Sequence, residues 1–270
     1  MTDRSRRPAS PTVAVVIPAL NEAANLRRIL PDLPPVDEVI LVDGRSSDGT
    51  VEAAREAMPQ IRVVTQTRRG KGNALACGFA SATADIIVMF DADGSADPKE
   101  IARFVDALQS GADFAKGSRE MTGGGSEDLT RIRGLGNRGL TVVANVLFRQ
   151  RFSDLCYGYN AFWRDIVPVL DLPDPAIRDI HKNMLWGDGF EVETVINCRV
   201  AAGGLRVREV PSRERNRIHG ESNLHAVSDG LRVLRTLMAE WNRARRPAQQ
   251  PGSADRSASR SGARQELHSA

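Results

Sequence analysis

A chain of 270 residues with 41% apolar and 26% charged side chains can bury one sizeable core with at most a small appendage. A net charge of only +3 and the presence of only two tyrosines speak against nucleic acid as a partner. No run of eighteen apolar residues occurs, and residues 1–11 are polar and basic without the apolar stretch of a secretory signal. The three cysteines, Cys77, Cys156 and Cys198, are scattered and lack metal-ligand spacing, so a cytoplasmic protein with reduced thiols is expected.

Residues 1–11 and 246–270 nearly lack large apolar side chains and are expected to be disordered tails, because they cannot bury enough surface to offset ordering entropy. Between them, at 12–245, strands alternate with helices. Residues 13–17 form an apolar, β-branched run suited to a strand buried on both faces. Asn21 is expected to cap the helix that follows, with Ala23, Leu26, Ile29 and Leu30 on its inner face. A second strand, 38–42, ends at Asp43, and a helix runs to about Met58. A third strand at 61–64 precedes a helix at 74–81. The fourth, at 86–90, ends in Asp91-Ala92-Asp93, and Asp97-Pro98 opens the next helix with a cap and a proline. Four consecutive βα units predict an α/β fold: a doubly wound, mainly parallel sheet with helices on both faces and ligands beyond the strands' carboxyl ends.

The second half is less regular. A glycine-rich stretch at 123–125 precedes a helix around 140–148, and a strand-like run at 205–210 leads into a basic loop at 211–223. The last helix, 227–241, places Val227, Leu231, Leu234, Met238 and Trp241 on one face, with Arg232, Arg235 and Arg243 on the other. That stripe is expected to pack on the main domain, with an acidic membrane surface as the alternative.

The chemistry-bearing residues fall at strand ends. Pro18-Ala19-Leu20-Asn21-Glu22 follows the first strand where a dinucleotide fold would carry G-x-G-x-x-G, yet no glycine occurs between Val13 and Gly44. Asp43 can accept hydrogen bonds from a base or ribose, or simply form a turn ahead of Gly44. Asp91 and Asp93 place two carboxylates beyond a wholly apolar strand, and a bound cation is the natural compensation. Hard cations such as Mg²⁺ or Mn²⁺ bridge such carboxylates to substrate phosphates. Arg68-Arg69-Gly70-Lys71-Gly72-Asn73 supplies positive charge near a helix N-terminus, where anions are favoured, although it is not a P-loop. Arg217 and His219 project to the same side if their segment is extended. Both could then reach one diphosphate, with His219 as a further metal ligand.

Together, V-A-V-V-I-P-A-L-N-E, E-V-I-L-V-D-G-R-S-S-D-G-T, G-K-G-N-A-L and D-I-I-V-M-F-D-A-D resemble the GT-A fold, family 2 glycosyltransferases. Downstream, D-L-C-Y-G-Y-N-A-F, G-F-E-V-E, V-R-E-V-P and R-I-H-G-E-S-N-L look like blocks of dolichyl-phosphate-mannose-synthase-like members. The P-A-L-N-E, G-K-G-x-A-L, G-x-G-F-E and R-x-H combination is also similar to retaining glucosyl-3-phosphoglycerate synthases. Asp43-Gly44-Arg45 departs from the commoner D-D-G, and Asn223 stands where polyprenol-phosphate enzymes usually carry Lys.

The resemblance implies a nucleotide-binding half at 12–118, an acceptor half at 119–225 and a C-terminal helix at 226–245. Pro18, Leu20, Glu22 and Asp43 would line the nucleoside pocket, with Lys71 near the base or phosphates. Asp91 and Ala92 would meet ribose or sugar, and Asp93 the Mg²⁺ or Mn²⁺. Glu191 would touch the donor sugar or act as base, with Asp188 a second base candidate, and Arg217 would steady the diphosphate. The expected activity is metal-dependent sugar transfer from a UDP- or GDP-linked donor to a small soluble or phosphate-bearing acceptor. Polyprenyl-phosphate glycosylation at the inner face of the membrane is the alternative, and a sugar nucleotidyltransferase or an inactive binding module is a more distant one. A homodimer is compatible with all of these.

Overall fold

The computed structural model describes residues 4–177, 184–219 and 226–246. Asn223 and residues 247–270 of the C-terminal tail lie outside that range. The strands are β1 (Val13–Ala19), β2 (Glu38–Asp43), β3 (Arg62–Thr65), β4 (Ile86–Met89), β5 (Phe114–Ser118), β6 (Gly125–Ser126), β7 (Asn160–Trp163), β8 (Val207–Pro211) and β9 (Arg213–Glu214). The helices are α1 (Ala23–Ile29), α2 (Thr50–Ala57), α3 (Lys71–Ser81), α4 (Ile101–Gln109), α5 (Arg131–Phe148), α6 (Val167–Leu170), α7 (Val192–Ala202) and α8 (Ala226–Arg245).

Seven strands form one sheet in the order β3-β2-β1-β4-β7-β5-β8, parallel throughout except for β7, which runs antiparallel to β4 and β5. A separate ribbon pairs β6 with β9. This mainly parallel sheet with helices on both faces is the doubly wound architecture that the first four βα units predict. β1 is buried from Ala14 to Ile17 on both faces. One face carries Leu26 and Ile29 of α1, Ala54 of α2 and Phe104 and Leu108 of α4. The other carries Leu75 and Phe79 of α3 and Val192, Ile196 and Val200 of α7. Truncating a fully buried residue such as Leu26 to Ala costs about 2–5 kcal/mol.

Three expectations are corrected. Asn21 does not cap α1: it sits at φ 58°, and its Oδ1 accepts the Ser47 N–H, tying the β1 and β2 loops together. The first N–H groups of α1 turn instead to the next loop, with Glu22 N–H donating to Thr50 Oγ1 and Ala23 N–H to Asp48.

Residues 4–11, expected to be disordered, are held by charge. Arg4 and Arg7 both donate to the buried Asp113, Arg7 also reaches Asp165, and its guanidinium lies 5.0 Å from the Trp163 ring centroid. Composition alone misses this because two arginines replace the apolar anchors a docked terminus usually needs.

The stripe on α8 faces outward rather than onto the domain. Leu231, Leu234 and Met238 are exposed, while Val233, Thr236, Leu237 and Glu240 face α5 and α7. A buried Arg199–Glu240 ion pair (2.9 Å), with the Trp186 indole N–H donating to Glu240, fixes that choice of face. Hydrophobic periodicity cannot report a face chosen by a buried charge pair. No helix among the described residues is long and apolar enough to cross a membrane.

Candidate active site

β1, β2 and β4 lie side by side and parallel, so the residues just past their carboxyl ends share one edge of the sheet. Pro18 lies within β1, Leu20 projects into solvent beyond it, and Asp43 closes β2. The Asp43 carboxylate accepts the N–H groups of Arg45 (2.9 Å) and Ser46 (3.2 Å), which organises the β2–α2 turn while its remaining lone pairs stay available.

Asp91 and Asp93 follow β4 and point to different partners. Lys71 Nζ, at the first position of α3, lies 2.7 Å from both Asp91 and Glu193. Burial works against the ammonium, but the two carboxylates outweigh it and hold its pKa well above the ordinary lysine value. Gly158, just ahead of β7, lies against both carboxylates: a Cβ there would sit 3.4 Å from Glu193 Oε1 and 3.6 Å from Asp91 Oδ2. Ala92 turns its methyl into the core, leaving only its backbone to meet a ligand.

Asp93 is mostly buried and lies 3.3 Å from Arg217. Its Oδ1 accepts the Ser95 N–H, and its carbonyl accepts the Ile218 N–H. The 217–219 loop can lie this close because the neighbouring residue is Gly94, at φ 79°: a Cβ there would fall 2.5 Å from Ile218 Cδ1. Asn25 donates to Glu22 and to the His219 carbonyl, holding the loop from the other side. Burial and the nearby Asp93 push the Glu22 carboxyl above its ordinary value, against the Asn25 hydrogen bond and Arg217. The structure therefore gathers Glu22, Asp93, Arg217 and the His219 backbone, and beside them Asp91 and Lys71.

Two roles are corrected. The N-terminus of α3 is not open to an anion: the N–H groups of Gly72 (2.7 Å) and Asn73 (3.2 Å) donate to the Asp188 carbonyl, and Lys71 faces carboxylates. Gly72 is required for that approach, since a Cβ would lie 1.8 Å from the Gly187 carbonyl oxygen. Asp188, expected as a candidate base, is fully buried and gripped by Arg68 through both oxygens at 2.7 and 2.9 Å. A carboxylate so enclosed positions a loop and has no path to an acceptor proton. Glu191 sits nearby, its Oε1 accepting the N–H groups of Gly187 (3.0 Å) and Gly189 (3.2 Å). It borders an open recess of about 310 Å³ lined by Met184, Leu185, Trp186, Arg232, Arg235 and Thr236.

Sequence reasoning missed Glu193 and Arg68. Glu193 stands two residues after Glu191 in G-F-E-V-E, a visible signal, but its role depends on α7 approaching α3. Arg68 reads as part of a solvated basic turn, and its burial against Asp188, 120 residues away, has no local signature.

A family model described as "Glycosyl transferase family 2" matches residues 14–170. An undecaprenyl-phosphate mannosyltransferase of Micrococcus luteus is 30% identical over 245 residues, spanning 85% of this chain and 96% of that protein. An uncharacterized glycosyltransferase of Mycobacterium tuberculosis is 36% identical over 224 residues, 83% of this chain and 93% of the relative. Among solved structures, glucosyl-3-phosphoglycerate synthase from Mycobacterium tuberculosis, in complex with Mn²⁺, UDP and glucosyl-3-phosphoglycerate, superposes with a TM-score of 0.66 at 24% identity. It covers 87% of this chain and 81% of its own.

Proposed function

The chain belongs to glycosyl transferase family 2, and from that premise we propose that it moves a hexosyl unit from a UDP- or GDP-linked donor, held with Mg²⁺ or Mn²⁺, to an acceptor that carries a phosphate. The observation that carries this reading is the pairing of Asp93 with Arg217 beside Asp91 with Lys71, at the shared carboxyl edge of β1, β2 and β4. Family membership sets aside the nucleotidyltransferase alternative.

Among the described residues no three His, Cys, Asp or Glu side chains form a ready-made metal cage. That donor set fits a hard cation that takes one or two carboxylates and completes its shell with diphosphate oxygens and water. Asp93 would hold it, with Asp91 nearby and His219 as a further ligand. When bound, such an ion offsets charge growing on the departing nucleoside diphosphate. Arg217 touches Asp93 through a single long contact and is part-exposed, so its fork can turn to the diphosphate. Pro18, Leu20, Glu22 and Asp43 would flank the nucleoside, and Glu191 the sugar.

The acceptor follows from what the carboxylates are already doing. Asp188 is committed to Arg68, and Asp91 and Glu193 to Lys71, which leaves Glu191 as the one of these four without a cationic partner among the described residues. A phosphate oxygen that itself takes the sugar is already ionised and needs no base, whereas a phosphate-bearing acceptor that reacts through a hydroxyl would leave Glu191 as its base. Arg235, on the recess beside Glu191, suits an anion, with Arg232 next to it paired to Asp229 at 2.9 Å. A phosphate is also common to the acceptors named for the mannosyltransferase relative and the synthase neighbour. The exposed Met184 and Trp186 that line that recess favour the lipid-linked form as the more specific reading.

The test is turnover with UDP- and GDP-hexoses, with Mn²⁺ or Mg²⁺, offered 3-phosphoglycerate in one arm and a short-chain polyprenyl phosphate in the other. Glycosylation of either supports the proposal and identifies the acceptor class. Transfer only to uncharged hydroxyl acceptors would overturn it.

A further inference from the structure

Helix α5 is apolar on two opposite faces. Leu140, Val143, Ala144 and Leu147 pack inward against Leu237 of α8 and Cys198 and Ala201 of α7. On the other side Ile132, Leu135, Val142 and Val146 stand in solvent at 62–76% exposure. With Gly139 they follow the alternating three- and four-residue spacing of a single helical stripe. A helix apolar on both faces is ordinarily covered on both.

The charge around the stripe is of one sign. From residue 129 to 153 there are five arginines (Arg131, Arg133, Arg138, Arg149 and Arg151) and no Asp or Glu. Arg133 meets Asp128 and Arg138 meets Glu120, both on flanking segments. Arg131, Arg149 and Arg151 are exposed, and among the described residues none of them has a carboxylate partner. A second copy laid on this face about a two-fold axis would bring arginine against arginine. An anionic lipid surface instead meets the arginines with opposite charge and the stripe with hydrocarbon.

We propose that the outer face of α5 docks on an anionic lipid bilayer. The helix lies in the interface, with Ile132, Leu135, Val142 and Val146 inserted and Arg131, Arg149 and Arg151 at the headgroups. The β6–β9 ribbon joins the start of α5 to the segment that carries Arg217, so docking through α5 holds the flank of the site beside the membrane. Helix α8 packs on α5 and turns Leu231, Leu234 and Met238 outward, adding apolar surface. The inference does not depend on the acceptor assigned above.

The experiment is co-sedimentation of the full chain with vesicles of phosphatidylcholine alone and of phosphatidylcholine with phosphatidylglycerol, at low and high salt. Binding is expected only to the anionic vesicles, weakened by salt. Leu135→Ser/Val142→Ser should reduce it at least tenfold, and Arg131→Gln/Arg149→Gln should do so by a similar factor, since each arginine at an anionic surface is worth roughly fivefold. All four positions are solvent-facing, so melting temperature and UDP or GDP binding should stay at wild-type values, which separates failed docking from a failed site. Three results would overturn the proposal: no anionic vesicle binding, binding that both double variants retain, or a wild-type dimer that Leu135→Ser/Val142→Ser dissociates without any vesicle binding.

Discussion

Arg68 and Asp188 form a two-pronged ion pair in the interior, and this pair fixes the Gly187–Gly189 turn against the start of α3. It separates two carboxylates that look equivalent in the sequence. Asp188→Asn leaves a buried guanidinium without its counter-charge, which costs about 3–5 kcal/mol and should lower Tm by roughly 5–15 °C. Glu191→Gln should leave Tm nearly unchanged and reduce kcat only about tenfold, the loss of one contact to the sugar. A loss of 10²–10⁴-fold would instead mark Glu191 as a general base and argue for a hydroxyl acceptor.

Lys71 bridges Asp91 and Glu193, and without it the two carboxylates face each other. Lys71→Met should lower kcat/KM at least tenfold, because the two carboxylates are left without their shared counter-charge. Adding Glu193→Gln removes the repulsion, so the double variant should be less impaired than the product of the single effects. Independent effects would contradict the bridge.

Acid stability follows from two buried carboxylates. Burial alone would raise both, but Arg4, the Arg206 N–H and Arg7 hold Asp113 at about 2, and Arg119 with Lys116 holds Asp154 at about 2. Each folded value lies below the ordinary 3.8, so the stabilisation is complete above about pH 4 and is lost as pH falls towards 2. For Asp154 it is on the order of 2 kcal/mol. Thermal melts across that range should show the decline. In Arg4→Gln/Arg7→Gln, Asp113 loses its depression, and the decline should begin at a higher pH.

His219 offers a test of the metal's shell. Its carbonyl accepts from Asn25 and the neighbouring Ile218 N–H donates to the Asp93 carbonyl, so the backbone of this segment runs beside Asp93. His219→Ala should weaken Mn²⁺ affinity about tenfold or more in the presence of nucleotide, and Mg²⁺ affinity less. Equal affinity for Mn²⁺ would remove the histidine from the shell.

The first four βα units were legible because their signals are local. Apolar strands end in acids, and Asp97 caps its helix through the Lys99 N–H as its sequence position suggests. The antiparallel β7 was not legible, because Asn160–Trp163 is four residues long and its role as a strand depends on insertion between β4 and β5. The same limit applies to Asp188 and to the outward stripe of α8. Both are decided by arginines, Arg68 and Arg199, that pair across 120 and 41 residues of sequence.

The measurement closest to the central claim is calorimetric titration of UDP and GDP into wild type and Asp93→Ala, each with and without Mn²⁺. Wild type should bind one of the nucleotides at least tenfold more tightly with the metal. Asp93→Ala should lose that metal-dependent gain, and with it turnover, while melting near the wild-type temperature. An Asp93→Ala variant that keeps the Mn²⁺-dependent gain would contradict a cation held at the end of β4.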